Sequence, residues 1–158
     1  MRRKKRLIMT HSFRAHYYHL IWSTKNRAPL ITSEIQSTLY SYIGGIIKNH
    51  NGKLLSAGGT LNHVHLLVGL KLPDKFSDFI RDVKASSSLW MNKNLSQNQY
   101  FAWQEGYGSF SVSCSSLEKV EHYIKNQVEH HKIITFEEEY IQLLKKHKIQ
   151  FDDRFVLG

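Results

Sequence analysis

Two histidines separated by one apolar residue stand in the run Asn62-His63-Val64-His65-Leu66-Leu67-Val68. Val64, Leu66 and Val68 alternate with them, which is the period-2 pattern of a strand with one face buried. Side chains two apart on a strand point the same way, so both imidazoles can converge on one cation or one phosphate without a bend in the backbone. Such a pair is also an ordinary accident of polar-face composition, and chemistry needs a second half of the site. Candidates lie much further along. Tyr123 and Gln127 are four apart in the stretch Leu117 to His131, where Leu117, Val120, Ile124 and Val128 form the apolar stripe of a helix. At that spacing they sit one above the other on an adjacent face. A tyrosine there is equally the edge of a core.

The elements that must position these residues follow from periodicity. His16 to Thr24 is aromatic and β-branched, a first strand, and Lys25-Asn26-Arg27-Ala28-Pro29 is a basic loop. Ser33 with Gln36 has the form of a capping box for a helix carrying Ile35, Leu39, Tyr42, Ile43, Ile46 and Ile47 up to Asn51-Gly52. Gly44-Gly45 inside it predicts close backbone packing, since each costs about 1 kcal/mol against Ala. Lys53 to Ala57 is a short strand, Gly58-Gly59 a turn, and the histidine strand runs from about Leu61 to Leu70. After Pro73-Asp74, Phe76, Phe79, Ile80, Val83, Trp90 and Met91 mark a second helix, whose Ser86-Ser87-Ser88 run reads as a small-residue contact surface. Ser109 to Ser113 is a last strand. The order βαββαβ is that of the ferredoxin-like fold, an α+β antiparallel sheet with both helices on one face. The histidines then belong to the other face, left open for partners. Two additional C-terminal helices follow: Ser115 with Glu118 opens Leu117 to about His131, and Thr135 with Glu138 opens Phe136 to about His147.

A length of 158 residues predicts one domain, residues 13–158, after a basic arm or upstream extension at residues 1–12, with Met9 as an alternative first residue. Met1 to Arg6 is charged like a signal-peptide start, yet Leu7-Ile8-Met9 is too short for an apolar core region. One cysteine, Cys114, and no long apolar run predict a reducing, cytoplasmic setting. The net charge of +9 points to an anionic partner. Aromatic residues make up 12% of the chain, which favours nucleic acid over a membrane surface because bases stack on aromatic faces.

His63-Val64-His65 on a strand and Tyr123-Ile124-Lys125-Asn126-Gln127 on a later helix together resemble the two motifs of the HUH single-tyrosine transposases of the insertion sequence 200/605 family and the related REP-associated tyrosine transposases. The similarity extends through His19 to Lys25, Asn62, Lys84 with Ser87-Ser88 and Trp90, Trp103-Gln104 with Tyr107, and Gln127-Val128-Glu129-His130-His131 followed by Thr135 to Tyr140. It covers roughly residues 13 to 155. It implies His63, His65 and Gln127 as metal ligands, Tyr123 as nucleophile, and a ferredoxin-like fold. It further implies a divalent metal, Mg2+ or Mn2+, a homodimer with active sites shared between subunits, and single-stranded DNA hairpins at element ends as substrate. The implied activity is a metal-dependent tyrosine DNA transposase, a single-strand endonuclease and strand transferase working through a 5′-phosphotyrosine.

The chemistry suits these residue types. A phosphodiester needs its charge neutralised and an oxygen brought into line, and two imidazoles with one amide suit manganese better than magnesium. A phenol near pKa 10 is only about one part in a thousand ionised at pH 7, a handicap of roughly 4 kcal/mol, so a cation or proton acceptor must assist. Lys125, His122, His130 and His131 are the nearby choices. His130-His131 are otherwise expected to be solvated or phosphate-contacting, because adjacent helix positions diverge by about 100°. Lys25, Arg27, Lys84 and Lys125 are candidate DNA contacts, and Trp22, Trp90 and Trp103 are read as core. The rival readings are a non-catalytic ferredoxin-like nucleic-acid-binding module, a metal-dependent hydrolase in which Tyr123 is dispensable, and a resident REP-type processing nuclease. Hairpin sequence and target preference are not legible in the chain.

Overall fold

A computed structural model describes residues 13–71 and 75–158; the basic arm at residues 1–12 lies outside the described residues, as does Pro73-Asp74. Strands β1 (Tyr17–Ser23), β2 (Gly52–Thr60), β3 (His63–Leu70) and β4 (Gly108–Val112) form one antiparallel sheet in the order β2-β3-β1-β4. Helices α1 (Ser33–Asn49) and α2 (Phe76–Asn94) complete the βαββαβ unit, and α3 (Leu117–Lys125), α4 (Gln127–His130) and α5 (Phe136–Lys146) follow it. This is the ferredoxin-like α+β arrangement that the periodicity predicts.

Alternation along β1 and β3 assigns the two faces. Leu20, Trp22, Val64, Leu66 and Val68 pack against Leu39, Ile43 and Ile47 of α1 and Phe79, Ile80, Val83 and Met91 of α2 in the larger core. The register pairs Ser23 with His63 and Ile21 with His65, so these four occupy the opposite face. That face is not open. A second apolar cluster of Ile21, Phe110, Phe136, Tyr140 and Leu144 seals it with α5, and α3 packs on β2 and β3. His63 and His65 are completely buried as a result. A strand reading locates the polar face, but which later helix returns to cover it depends on contacts far apart in the chain.

Several local expectations change for identifiable reasons. The hairpin turn falls at Leu61-Asn62, and Gly58-Gly59 lie inside β2. Their service is close approach: a Cβ on Gly58 would come within 2.1 Å of the Ile124 carbonyl oxygen of α3, and one on Gly108 within 2.7 Å of Tyr140 of α5. By contrast, Gly45 faces open space and Gly44 meets only ordinary contact with Leu54, so the glycine pair of α1 carries no close packing. The capping box at Thr135 and Glu138 forms, with Glu138 N–H donating to Thr135 Oγ1 at 3.2 Å and Thr135 N–H to Glu138 Oε2 at 2.9 Å. Ser33 is instead the first residue of α1 behind Thr32, and Ser116 precedes α3; neither Thr32 nor Ser116 makes a side-chain cap bond. The helix read as continuous from Leu117 to His131 breaks at Asn126. Ser87 accepts from the Trp103 indole at 2.9 Å, and Asn92 bonds Phe101 through both backbone groups, so the serine face of α2 holds the loop before β4.

No helix among the described residues is long and apolar enough to cross a membrane.

Gly58→Ala should displace α3 and cost about 1–3 kcal/mol of stability, the usual range for overpacking a filled core. Gly45→Ala should be neutral or stabilising by up to about 1 kcal/mol. Urea denaturation of the two variants checks the contrast.

Candidate active site

His63 and His65 sit centrally because β3 is an inner strand, and each has its outer nitrogen engaged. His63 Nδ1 lies 2.8 Å from Asn62 Oδ1 and 3.0 Å from Thr60 Oγ1, groups supplied by the hairpin turn itself. His65 Nδ1 lies 2.8 Å from Nε2 of the buried His19 on β1. With Nδ1 of each ring engaged there, the two Nε2 atoms are directed toward the covering helices, and Nδ1–H donation from both rings would free the Nε2 lone pairs for a metal.

Helix α3 delivers the other half. Tyr123 approaches the pair, its ring centroid 5.8 Å from that of His65 and 6.0 Å from that of His19. Gln127 begins α4, fully inside, with Oε1 3.1 Å from His63 Nε2. The four residues singled out in the sequence therefore share one site within a single chain. The break at Asn126 turns the chain so that His131 also enters, correcting its reading as a solvated residue: its Nε2 is 2.9 Å from Gln127 Oε1. His130 stays at the rim, a third exposed, with Nε2 3.5 Å from the Tyr123 hydroxyl.

Glu139 on α5 is the residue that sequence reasoning missed. Only 1% exposed, it has Oε1 2.9 Å from His65 Nε2 and 3.1 Å from His131 Nε2, and its Oε2 accepts the Tyr123 hydroxyl. Its one signal was position: Phe136, Glu139 and Tyr140 share a helical face whose other members are apolar, so a glutamate there is buried among them. His63, His65, His131 and Glu139 each offer a ligand atom, all within 4.8 Å of one another. Ligands about 2.0–2.2 Å from an ion stand at most about 4.4 Å apart, so this donor set fits a divalent cation with sub-ångström adjustment.

The electrostatics point the same way. Burial, reinforced by the neighbouring histidines, pushes His63 down to about 3, and burial followed by the charge of His65 does the same to His19. Burial also lowers His65 against the pull of Glu139. Burial alone would raise Glu139, but its contacts with His131 and His65 outweigh that and hold its carboxyl below the usual range. Burial, then the Glu139 bond, raises the Tyr123 phenol. A buried carboxylate thus faces His63 and His65, whose protonated forms burial disfavours, so a bound cation would supply the compensating charge.

The family described as "Transposase IS200 like" matches residues 12–127. This chain belongs to the IS200-like transposases. It is 24% identical over 115 residues to the ISDra2 transposase TnpA of Deinococcus radiodurans, covering 70% of this chain and 82% of that protein. To the transposase for insertion sequence element IS200 of Salmonella typhimurium it is 27% identical over 124 residues, covering 73% and 79%. A crystal structure of a Deinococcus radiodurans transposase superposes with a TM-score of 0.60 at 25% identity, covering 75% of this chain and 95% of that one. The fold is also that of a REP-associated tyrosine transposase solved with a REP hairpin, at a TM-score of 0.58, 17% identity and coverage of 80% and 76%. The matched stretch of this IS200-like chain ends at Gln127, so His131 and Glu139 come from beyond it.

The four candidate DNA-contacting cations of this transposase are differently placed. Lys25 is exposed in a 3-10 turn after β1. Arg27 pairs with Glu137 at 2.9 Å, and Lys125 with Glu121 at 2.9 Å on the outer side of α3. Lys84 donates to the carbonyls of Gln104 (2.8 Å) and Gly106 and lies over the Trp22 ring, and burial lowers it to about 8. Its ammonium thus ties the loop before β4 to α2. Trp22 and Trp103 are core, while Trp90 is half-buried and stacks on Tyr42.

With metal chelated, stability should fall as pH drops below the ordinary histidine value of 6.5 toward about 3. In that window the unfolded chain binds protons at His19 and His63 that the folded chain does not. The expected loss is up to about 1.4 kcal/mol per pH unit per group, with no contribution above the window. Urea denaturation between pH 7 and pH 5 should show the slope, and His63→Asn should make it shallower.

Proposed function

We propose that this chain is a metal-dependent tyrosine transposase that cleaves and rejoins single-stranded DNA at hairpin-bearing element ends through a 5′-phosphotyrosine. The observation that carries the reading is the meeting of the Tyr123 hydroxyl with the convergent imidazoles of His63 and His65 inside one site. A binding module gives no reason for such a constellation, and a water-activating hydrolase gives none for a phenol bonded into it.

In this reading His63, His65 and Gln127 would hold Mg2+ or Mn2+, and the bound ion would offset negative charge on the scissile phosphate. Tyr123 Oη attacks phosphorus, the Tyr–O–P bond forms and the P–O3′ bond breaks. The phenolic proton leaves toward Glu139 or His130, the two acceptors within reach, and the departing 3′ oxygen takes up a proton. Lys125 and His122 lie on the exposed side of α3, where they meet Glu121 and Asn126 rather than the Tyr123 hydroxyl. Attack by a target 3′-hydroxyl reverses the sequence, the phosphotyrosine conserving the bond energy so that no nucleotide cofactor is needed.

Lys25, Arg27 and Lys125 contact the DNA backbone, the latter two exchanging surface carboxylates for phosphates; Lys84 acts indirectly through the loop it holds. Two element ends call for two nucleophiles, so the working unit is a homodimer, and exchange of α3 between subunits would rebuild the same Tyr123–His65 contact across the interface. The setting is cytoplasmic. A protein of the same fold has been solved on a REP hairpin, in keeping with a hairpin substrate.

Incubation with a labelled hairpin-bearing single strand and Mn2+, then denaturation, should yield a covalently labelled protein that is absent in Tyr123→Phe. Hydrolysed DNA with no adduct, together with an active Phe variant, would sink the nucleophile assignment. The salt dependence of binding should lose about 0.7 of a log unit of slope for each phosphate contact removed by Lys25→Ala or Lys125→Ala.

A further inference from the structure

The family match stops at Gln127, yet the surroundings of the histidine pair are completed by residues after it. We propose that Glu139 and His131 are ligands of the divalent ion and that Glu139, through its second oxygen, positions Tyr123, so that loading the metal and seating the nucleophile are one event. The inference deepens the function proposed above and rests on it for the metal and the nucleophile.

The two oxygens of Glu139 have separate surroundings. Oε1 lies 2.9 Å from His65 Nε2, 3.1 Å from His131 Nε2 and 3.9 Å from His63 Nε2. Oε2 accepts from the Tyr123 hydroxyl and from Gln127 Nε2 at 3.3 Å, and lies 3.0 Å from His130 Nε2. One carboxylate thus joins the would-be coordination sphere to the nucleophile. His131 is aimed in the same way: its Nδ1–H donates to the Ile134 carbonyl at 2.8 Å, which leaves a lone pair on Nε2. That lone pair meets Gln127 Oε1 at 2.9 Å and Glu139 Oε1 at 3.1 Å. Nitrogen and oxygen lone pairs facing one another repel, and a cation between them turns repulsion into ligation. The alternative is a protonated His131 in an ion pair with Glu139, with no metal role for either.

The placement of Glu139 is rigid. The capping box fixes the start of α5, and Phe136 and Tyr140, on either side of Glu139, are packed under Ile21 and Phe110. A carboxylate also changes the character of the site. Two imidazoles and an amide leave a double positive charge uncompensated, whereas an anionic oxygen lowers it and suits a hard ion such as Mn2+ or Mg2+.

The test is Mn2+ binding to the metal-free full chain without DNA, followed by calorimetry and by electron paramagnetic resonance. Glu139→Gln should bind Mn2+ about 10–100-fold more weakly than wild type and His131→Gln about tenfold more weakly. Tyr123→Phe should stay within about twofold. The near-ultraviolet circular dichroism of Tyr123, taken as wild type minus Tyr123→Phe, should change on Mn2+ addition in wild type and not in Glu139→Gln, a response that a merely structural glutamate would not remove. A folded Glu139→Gln with wild-type Mn2+ affinity overturns the inference and leaves Glu139 as an ion-pair partner. Should that variant not fold, Glu139→Asp and His131→Gln carry the same comparison, and unchanged affinity in both overturns it. Mn2+ binding that is lost in His65→Ala but untouched in these variants refutes this inference alone. A wild-type protein that binds no Mn2+, or keeps it in His65→Ala, refutes the metal reading of the function as a whole.

Discussion

A carboxylate shut away from water costs several kcal/mol unless charge or hydrogen bonds compensate it, and Glu139 is such a group at the centre of this protein. Every element that contributes a side chain to the candidate site touches it. The histidine strand β3 supplies His65, α3 supplies Tyr123, α4 supplies Gln127 and His130, and the turn after α4 supplies His131. Removing Glu139 would leave four imidazoles, an amide and a phenol with no common partner. Keeping it forces them to within a few ångströms, which is the distance scale of phosphoryl chemistry.

The apolar architecture exists in two unequal halves around this point. The larger core, between the sheet and α1 and α2, gives the strands a rigid backing and places the imidazoles on its far side. The smaller cluster joins β1, β4 and α5 with Phe151, Val156 and Leu157 packed against it, and it bears directly on the site because Phe136 and Tyr140 flank Glu139. Glycines at 58 and 108 are the permission for this arrangement: any side chain there would hold α3 or α5 off the sheet. Packing, in other words, sets the reach of the polar groups, and the polar groups give the packed helices a single register on the sheet.

The elements themselves were legible in the chain. Strand alternation over Val64, Leu66 and Val68, the apolar stripes of α1 and α2, and the Thr135–Glu138 cap all produced what their local patterns require, because those patterns depend on neighbours a few residues away. The failures share one cause. Gly58-Gly59 reads as a turn since glycine pairs usually mark one, but here Gly58 makes room for a helix that packs against it from much later in the chain, and Gly59 lets β2 approach His63 of β3. His131 reads as solvated because an unbroken helix would point it outward, and the break at Asn126 depends on how α4 meets the sheet. The carbonyls of Gln104 and Gly106 that Lys84 holds likewise belong to a loop whose path no local pattern reveals.

The βαββαβ order, the facing of His63 and His65 away from the main core, and the one-turn spacing of Tyr123 and Gln127 are written in the chain, since all three follow from backbone periods of two and 3.6 residues. That the histidine face is roofed by the chain's own C-terminal helices, and that Glu139 lies between the histidine pair and Tyr123, follows only from long-range packing. Covering a sheet face is a matter of which distant apolar stripe fits it best, and a buried glutamate is marked in sequence by nothing except an acidic residue on an otherwise apolar helical face. Periodicity tells where a side chain points; only packing tells what it points at.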